Sequence, residues 1–93
     1  MIARSVPASR RPPIRIYTVT WCPHCIRFKA WLDEEDIEYL DHDVDASDAS
    51  WQEALALTGG YDIVPVAEID GKAVWGAFNE AFKEKVRHLL GPT

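Results

Sequence analysis

The chain has 93 residues, of which 47% are hydrophobic and 27% charged, and its formal net charge is −5. This length accommodates one domain with its own core and leaves no room for a second. The acidic excess disfavours binding to nucleic acid or to an anionic membrane surface. The sequence also lacks the run of about 20 apolar residues that a membrane-spanning helix requires.

The first 13 residues, MIARSVPASRRPP, combine three arginines with three prolines and lack the apolar core of a signal peptide. We predict a disordered tail over residues 1–13 and a folded domain over residues 14–93. Removing the tail's three arginines from the ten basic residues leaves seven against fifteen acidic ones, a formal charge of −8. We expect a cytoplasmic monomer.

The first half of the domain predicts a strand, a helix and a second strand. Residues 14–19 are rich in β-branched side chains and favour a buried strand. Pro23 suits the first turn of a helix, where its missing N–H needs no partner. Residues 37–44 alternate and predict a second strand. The apolar positions of these two elements are Phe28, Trp31 and Leu32 in the helix, and Ile37, Tyr39 and Leu40 in the strand.

A second helix follows. Ser47 or Ser50 is its candidate N-cap, and Ser50 with Glu53 three residues later would form a capping box. The pair Gly59-Gly60 predicts its C-terminal end.

The last part of the chain predicts a hairpin and a third helix. Two apolar runs within residues 64–74 flank Asp70-Gly71, a strong signal for a tight turn. Residues 78–90 carry apolar side chains at helical spacing. The order βαβαββα predicts an α/β fold with a four-stranded mixed sheet and helices on both faces.

Both cysteines lie in one short motif, Trp21-Cys22-Pro23-His24-Cys25. A disulfide between them would close a minimal loop, which makes it a poor stabiliser of the fold. Cys22 is predicted at the N-terminus of the first helix, where unpaired N–H groups favour a thiolate. Cys25 is predicted one turn further into the fold. We therefore interpret Cys22 as an exposed nucleophile and Cys25 as a resolving thiol.

A metal site is the competing interpretation. Zinc needs four ligands, and His24, His42 and His88 are not spaced as in zinc fingers. Residues 41–45 are rich in aspartate and histidine, but alternating strand residues point to opposite faces, which favours a solvated strand end. We expect no metal and no prosthetic group, and a non-catalytic metal-binding or redox-sensing module stays open as an alternative of another class.

The combination of a strand, WCPHC, a helix and Val64-Pro65 before a hairpin resembles the glutaredoxin-like branch of the thioredoxin fold. The resemblance covers residues 14–91. It implies a three-layer α/β/α architecture and a dithiol-disulfide oxidoreductase that carries electrons through Cys22 and Cys25. It also implies a cis bond at Pro65 and substrate pairing with the backbone of Val64.

The resemblance bears on the electron donor. Glutathione-using members carry a basic residue where this chain has Val19, and a segment of glycines and acids where it has residues 75–79. Trp75 and Phe78 are instead similar to a segment of the redoxins that serve ribonucleotide reductase. We therefore expect protein disulfide substrates, with ribonucleotide reductase among them, and reduction by a thioredoxin-reductase-type flavoprotein. Glutathione remains the alternative donor, and core packing the alternative role of both aromatics.

Three further residues of the motif modulate the expected chemistry. Pro23 disfavours a shared iron-sulfur cluster, because cluster-binding members of the family have a small residue there. A protonated His24 beside a thiolate would raise the reduction potential relative to a tyrosine at that position. Trp21 is predicted either as an exposed rim residue for partner docking or as a packing residue at the helix start.

Overall fold

The computed structural model describes residues 14–91, so the predicted tail over residues 1–13 lies outside the described part. The elements are β1 (Ile14–Thr18), α1 (Pro23–Glu34), β2 (Tyr39–Asp43), α2 (Asp48–Thr58), β3 (Val66–Ile69), β4 (Lys72–Trp75) and α3 (Glu80–Leu90). The predicted order βαβαββα is confirmed. No helix within residues 14–91 has the length and apolar character needed to cross a membrane.

The strands form a mixed sheet in the order β2-β1-β3-β4. β1 pairs in parallel with β2, and the other two pairings are antiparallel. In this register Ile16 of β1 lies opposite Asp41 on one side and Ala67 on the other. β1 is thus an inner strand, and its carboxyl end, which leads to the cysteines, is held between β2 and β3.

Two apolar clusters cover the two faces of the sheet. Alternate residues of β1 divide between them, as expected for a strand buried on both faces. The first cluster joins α1 and α3 to one face and contains Ile14, Ile16, Phe28, Trp31, Leu32, Ala67, Ile69, Val74, Phe82 and Val86. The second joins α2 to the other face and contains Tyr17, Val19, Cys25, Val44, Ala54 and Val66. The predicted three-layer α/β/α fold is therefore confirmed.

The helix α2 begins after one of its two predicted N-caps, whereas α3 begins two residues later than predicted. α2 is capped by Ser47, whose Oγ accepts the N–H of Ser50 at 3.2 Å. The predicted capping box of Ser50 and Glu53 is wrong, because Ser50 is buried in the first turn. α3 begins at Glu80 and not at Phe78, because the side chain of Asn79 caps it.

The hairpin turn has the predicted geometry. Asp70 and Gly71 have φ values of 52° and 82°, and consecutive positive values define the type I′ turn favoured in two-residue hairpins. Glu68 adds a side-chain contact, since its Oε2 accepts the N–H of Gly71 at 3.0 Å. On the opposite edge of the sheet, Leu40 of β2 is exposed, whereas Ile37 and Tyr39 pack against the first cluster, because Leu40 points to the other face of the sheet from Tyr39.

Candidate functional site

Cys22 is the N-cap of α1. Its backbone is extended, with φ −88° and ψ 124°, and Pro23 follows in the first turn. The first helical hydrogen bond runs from the N–H of Ile26 to the carbonyl of Cys22 at 3.0 Å. The N–H groups of His24 and Cys25 therefore precede the helical ladder and have no helical carbonyl to reach. The Cys22 side chain makes no capping hydrogen bond, so the helix acts on it through the positive end of its dipole at this terminus.

The two thiols differ in environment. Cys22 is half-buried and Cys25 is fully buried, and both are free cysteines. Burial raises the pKa of the Cys25 thiol from 9.0 to about 11, and the nearby Cys22 adds to the rise. The backbone N–H of Val19 and the charge of Lys29 act in the opposite direction. Cys25 is therefore held as a neutral thiol while Cys22 remains within reach of solvent.

The segment Val64-Pro65 lies beside these thiols. The Val64-Pro65 peptide bond is cis, as the resemblance implied. Pro65 is buried, and the half-buried Val64 packs, with Cys22, against the cluster that contains Cys25 and Val66. Residues more than 40 positions apart in the sequence thus form one site at the carboxyl end of β1.

Trp21 lies on the rim of this site. Its side chain is 70% exposed, and its indole Nε1 donates to Asp45 Oδ2 at 2.8 Å. The exposure favours the rim interpretation over packing at the helix start. The sequence did not predict the partner, because Asp45 follows a different strand.

His24 makes a contact that the sequence did not predict. The backbone N–H of Phe78 donates to His24 Nδ1 at 3.2 Å, and Arg27 Nη2 lies 3.4 Å from the same nitrogen. With donors aimed at it, Nδ1 acts as an acceptor, which places the proton of the neutral ring on Nε2. The motif is thereby connected directly to the segment that links β4 and α3.

Trp75 and Phe78 have different surroundings. Trp75 is 38% exposed, which leaves part of its ring available to a partner. The ring of Phe78 packs against Phe28, Trp31 and Phe82, with centroids 5.5, 6.0 and 5.6 Å away. The core-packing interpretation therefore fits the Phe78 ring, and the contact interpretation fits Trp75.

A polar network behind Cys25 also went unnoticed in the sequence. Asp41 Oδ2 accepts from Lys29 Nζ at 3.0 Å, and Asp41 Oδ1 accepts from the buried Thr18 Oγ1 at 2.7 Å. Asp41 is thus engaged by two partners and is not merely part of a solvated strand end. Lys29 lies four residues after Cys25, a spacing that places the two on one face of a helix. This spacing was the feature of the sequence from which the position of Lys29 near Cys25 could have been predicted.

The ligand-rich residues do not gather into a metal site. Within residues 14–91, no group of three or more His, Cys, Asp or Glu side chains is placed to hold a metal ion. His42 turns inward and stacks on Tyr17 with ring centroids 5.0 Å apart. Asp43 instead accepts the backbone N–H of Asp45 at 2.9 Å. The residues of this run therefore point in different directions.

Comparison with known protein sequences identifies glutaredoxins and glutaredoxin-like proteins as relatives of this chain. The glutaredoxin family model matches residues 14–74, which include both cysteines and Val64-Pro65. A glutaredoxin-like 8.6 kDa protein of Clostridium pasteurianum is 34% identical over 73 residues, covering 78% of this chain and 95% of that protein.

Solved structures agree with the sequence relatives. The thioredoxin-like protein BC3987 aligns with a TM-score of 0.69 at 32% identity, over 82% of this chain and 97% of its own. The buckwheat glutaredoxin-glutathione complex aligns with a TM-score of 0.65 at 27% identity, over 84% and 73%. The overall fold of this chain is therefore shared with thioredoxin-like and glutaredoxin structures.

Proposed function

The chain belongs to the glutaredoxin family and is a thiol-disulfide oxidoreductase, and we propose that Cys22 and Cys25 carry its reaction as a dithiol pair. The Cys22 thiolate attacks a disulfide of a substrate protein, forms a mixed disulfide and displaces one substrate thiolate, which takes up a proton. Cys25 then loses its proton and attacks the Cys22 sulfur. This second step forms the Cys22-Cys25 disulfide and releases the second substrate thiol, so that two electrons pass to the substrate.

The observation that carries this proposal is the unequal burial of the two thiols. Cys22 caps a helix and is accessible, whereas Cys25 is buried and has a raised pKa. A substrate disulfide can reach the first sulfur and is sterically kept from the second. Initial attack from Cys22 therefore leaves Cys25 as the internal thiol that resolves the intermediate.

We favour a thioredoxin-reductase-type flavoprotein as the electron donor. Val19 is 3% exposed and lies in the apolar cluster around Cys25, where glutathione-using relatives carry a basic residue. The 75–79 segment likewise offers aromatic side chains in place of the expected acids. Both features remove charges that would bind the ends of glutathione.

Glutathione is the second candidate donor. The observation in its favour is the structural likeness to the buckwheat glutaredoxin solved with glutathione. The two donors are separated by coupled assays on one protein disulfide substrate, such as insulin. One assay supplies NADPH with a thioredoxin reductase, and the other supplies NADPH, glutathione and glutathione reductase. We expect faster turnover with the first, and turnover with glutathione alone would reverse the assignment.

Single serine variants test the roles of the thiols. Cys25→Ser should accumulate a mixed disulfide with the substrate, because the resolving thiol is absent, and Cys22→Ser should form none. Mass spectrometry of the non-reduced proteins measures both. A non-catalytic metal-binding module would behave differently, since either variant would lose bound zinc and neither would trap substrate.

The proposal extends to partners. The backbone of Val64 offers an edge where an extended substrate segment can pair as an added strand. Protein disulfides are the substrate class, with ribonucleotide reductase among them because of the spacing of Trp75 and Phe78. The Cys22-Cys25 disulfide is itself the redox group, and the reaction needs no metal. We place it in the cytoplasm, where thiols are kept reduced.

A further inference from the structure

We propose that His24 is a positioning residue, whose Nδ1 holds the segment between β4 and α3 against the active-site motif. This segment comprises residues 76–79 and is called the 76–79 segment below. The inference rests on the proposed function and names the part of the site that His24 arranges. It concerns substrate binding and not the ionisation of Cys22.

The first observation is the hydrogen bond between two distant parts of the chain. His24 and Phe78 are 54 positions apart, and the Phe78 N–H meets Nδ1 at 3.2 Å. Phe78 lies after the end of β4 and before the N-cap of α3. Neither the hydrogen bonds of the sheet nor those of the helix therefore supply a carbonyl for its N–H. Among residues 14–91, the imidazole of His24 supplies the acceptor that a half-buried N–H needs.

The second observation is that α1 holds Phe78 at two points. His24, in the first turn, binds the backbone of Phe78. Phe28 and Trp31, one and two turns later, pack against its ring at 5.5 and 6.0 Å. Loss of the hydrogen bond would leave the ring anchored in the core. The fold should therefore survive the change while the backbone of the 76–79 segment gains freedom.

The third observation is the position of the neighbouring residues. Trp75 is partly exposed, and the next residue, Gly76, has a φ of 120° that side chains rarely adopt. Gly76 thus provides a point where the backbone turns easily. His24 lies two residues from Cys22. Its hydrogen bond to Phe78 therefore determines the position of Trp75 and the 76–79 segment relative to the reactive sulfur.

Arg27 does not substitute for this contact. Its Nη2 is 3.4 Å from Nδ1 at an exposed position, at the weak end of hydrogen-bond distances. A ring nitrogen has a single in-plane lone pair, and the shorter contact to Phe78 uses it. The inference thus depends on Nδ1 as an acceptor, and on no other property of the histidine.

Two variants of equal shape isolate that property. His24→Asn places an amide oxygen close to the position of Nδ1, and His24→Leu has the same branched shape with no acceptor. Both lose the imidazole, so any effect of an imidazole charge on Cys22 is removed equally from both. A difference between them reports the acceptor alone.

Amide hydrogen exchange at Phe78 is the first measurement. We expect protection in the wild type and in His24→Asn, and about fivefold lower protection in His24→Leu, as for loss of one net hydrogen bond. The second measurement compares KM for a protein disulfide with the rate on a small disulfide such as hydroxyethyl disulfide. His24→Leu should raise KM for the protein about fivefold relative to His24→Asn, with equal rates on the small disulfide.

The possible outcomes separate this inference from the proposed function. Equal exchange at Phe78 in the two variants, or equal KM values, would overturn the positioning role while an active wild type upheld the proposed function. A wild type that reduces no disulfide would overturn both. A large difference between the variants on the small disulfide would also overturn the inference, because it would place His24 in the chemistry of the thiol.

Discussion

Cys25 should make the stability of the reduced protein fall at alkaline pH. Burial raises the pKa of its thiol from 9.0 to about 11, so the folded chain retains a proton that the unfolded chain releases above pH 9. The contribution of the neutral Cys25 thiol to the free energy of unfolding is fully present below pH 9, and it is lost as pH rises through 11. One pKa unit corresponds to about 1.4 kcal/mol, which predicts a loss of about 1 kcal/mol at pH 10 and about 3 kcal/mol above pH 11.

Urea unfolding followed by tryptophan fluorescence measures this loss. The wild type, kept reduced, is compared with Cys25→Ser at pH 8, 9 and 10. Both retain Tyr17 and Tyr39, whose pKa values are also raised by burial, so the tyrosine contribution cancels in the difference. The oxidised wild type is a second comparison, because it has no free thiol. Equal losses of stability in reduced wild type and both comparisons would refute the reasoning.

Three further predictions concern single side chains. His24→Tyr should lower the reduction potential of the cysteine pair under conditions that protonate the imidazole, because a protonated His24 gives up the Phe78 N–H and can stabilise the thiolate; redox equilibration measures this, and equal potentials would contradict it. Phe28→Ala should cost about 3–5 kcal/mol in urea unfolding, since Phe28 is fully buried among three aromatic rings, with Phe28→Leu as the milder control. Ser47→Ala should cost about 1 kcal/mol by removing the cap of α2, whereas Ser47→Asp should keep it; equal losses would argue against capping.

Features determined by neighbouring residues were predictable from the sequence. The turn at Asp70-Gly71 follows from two residues that tolerate positive φ, and the start of α1 follows from Pro23. Cys22 was placed at the helix N-terminus by the same local reasoning. The buried position of Cys25 also followed, because one helical turn carries a side chain from the edge of a sheet toward the core.

Features determined by tertiary contacts were not predictable in the same way. Ser47 and Ser50 have similar propensities as caps, and the structure separates them because Ser47 accepts the N–H of Ser50, which is buried inside the first turn. The partners of Asp41 are Thr18 and Lys29, which lie 23 and 12 positions away. No local pattern specifies such pairs, because they depend on how β2 lies beside β1 and α1.

The arrangement of α1 predicts that the chemistry we propose for Cys22 is coupled to packing in the core. Cys22 caps this helix and His24 lies in its first turn, and the next turns carry Phe28 and Trp31, which hold the ring of Phe78. A rigid helix transmits the position of one end to the other, so the core that stabilises the domain also fixes the distance between the reactive sulfur and the 76–79 segment. A core substitution such as Phe28→Leu should therefore disturb binding of a protein substrate more than reaction with a small disulfide, which needs only the sulfur.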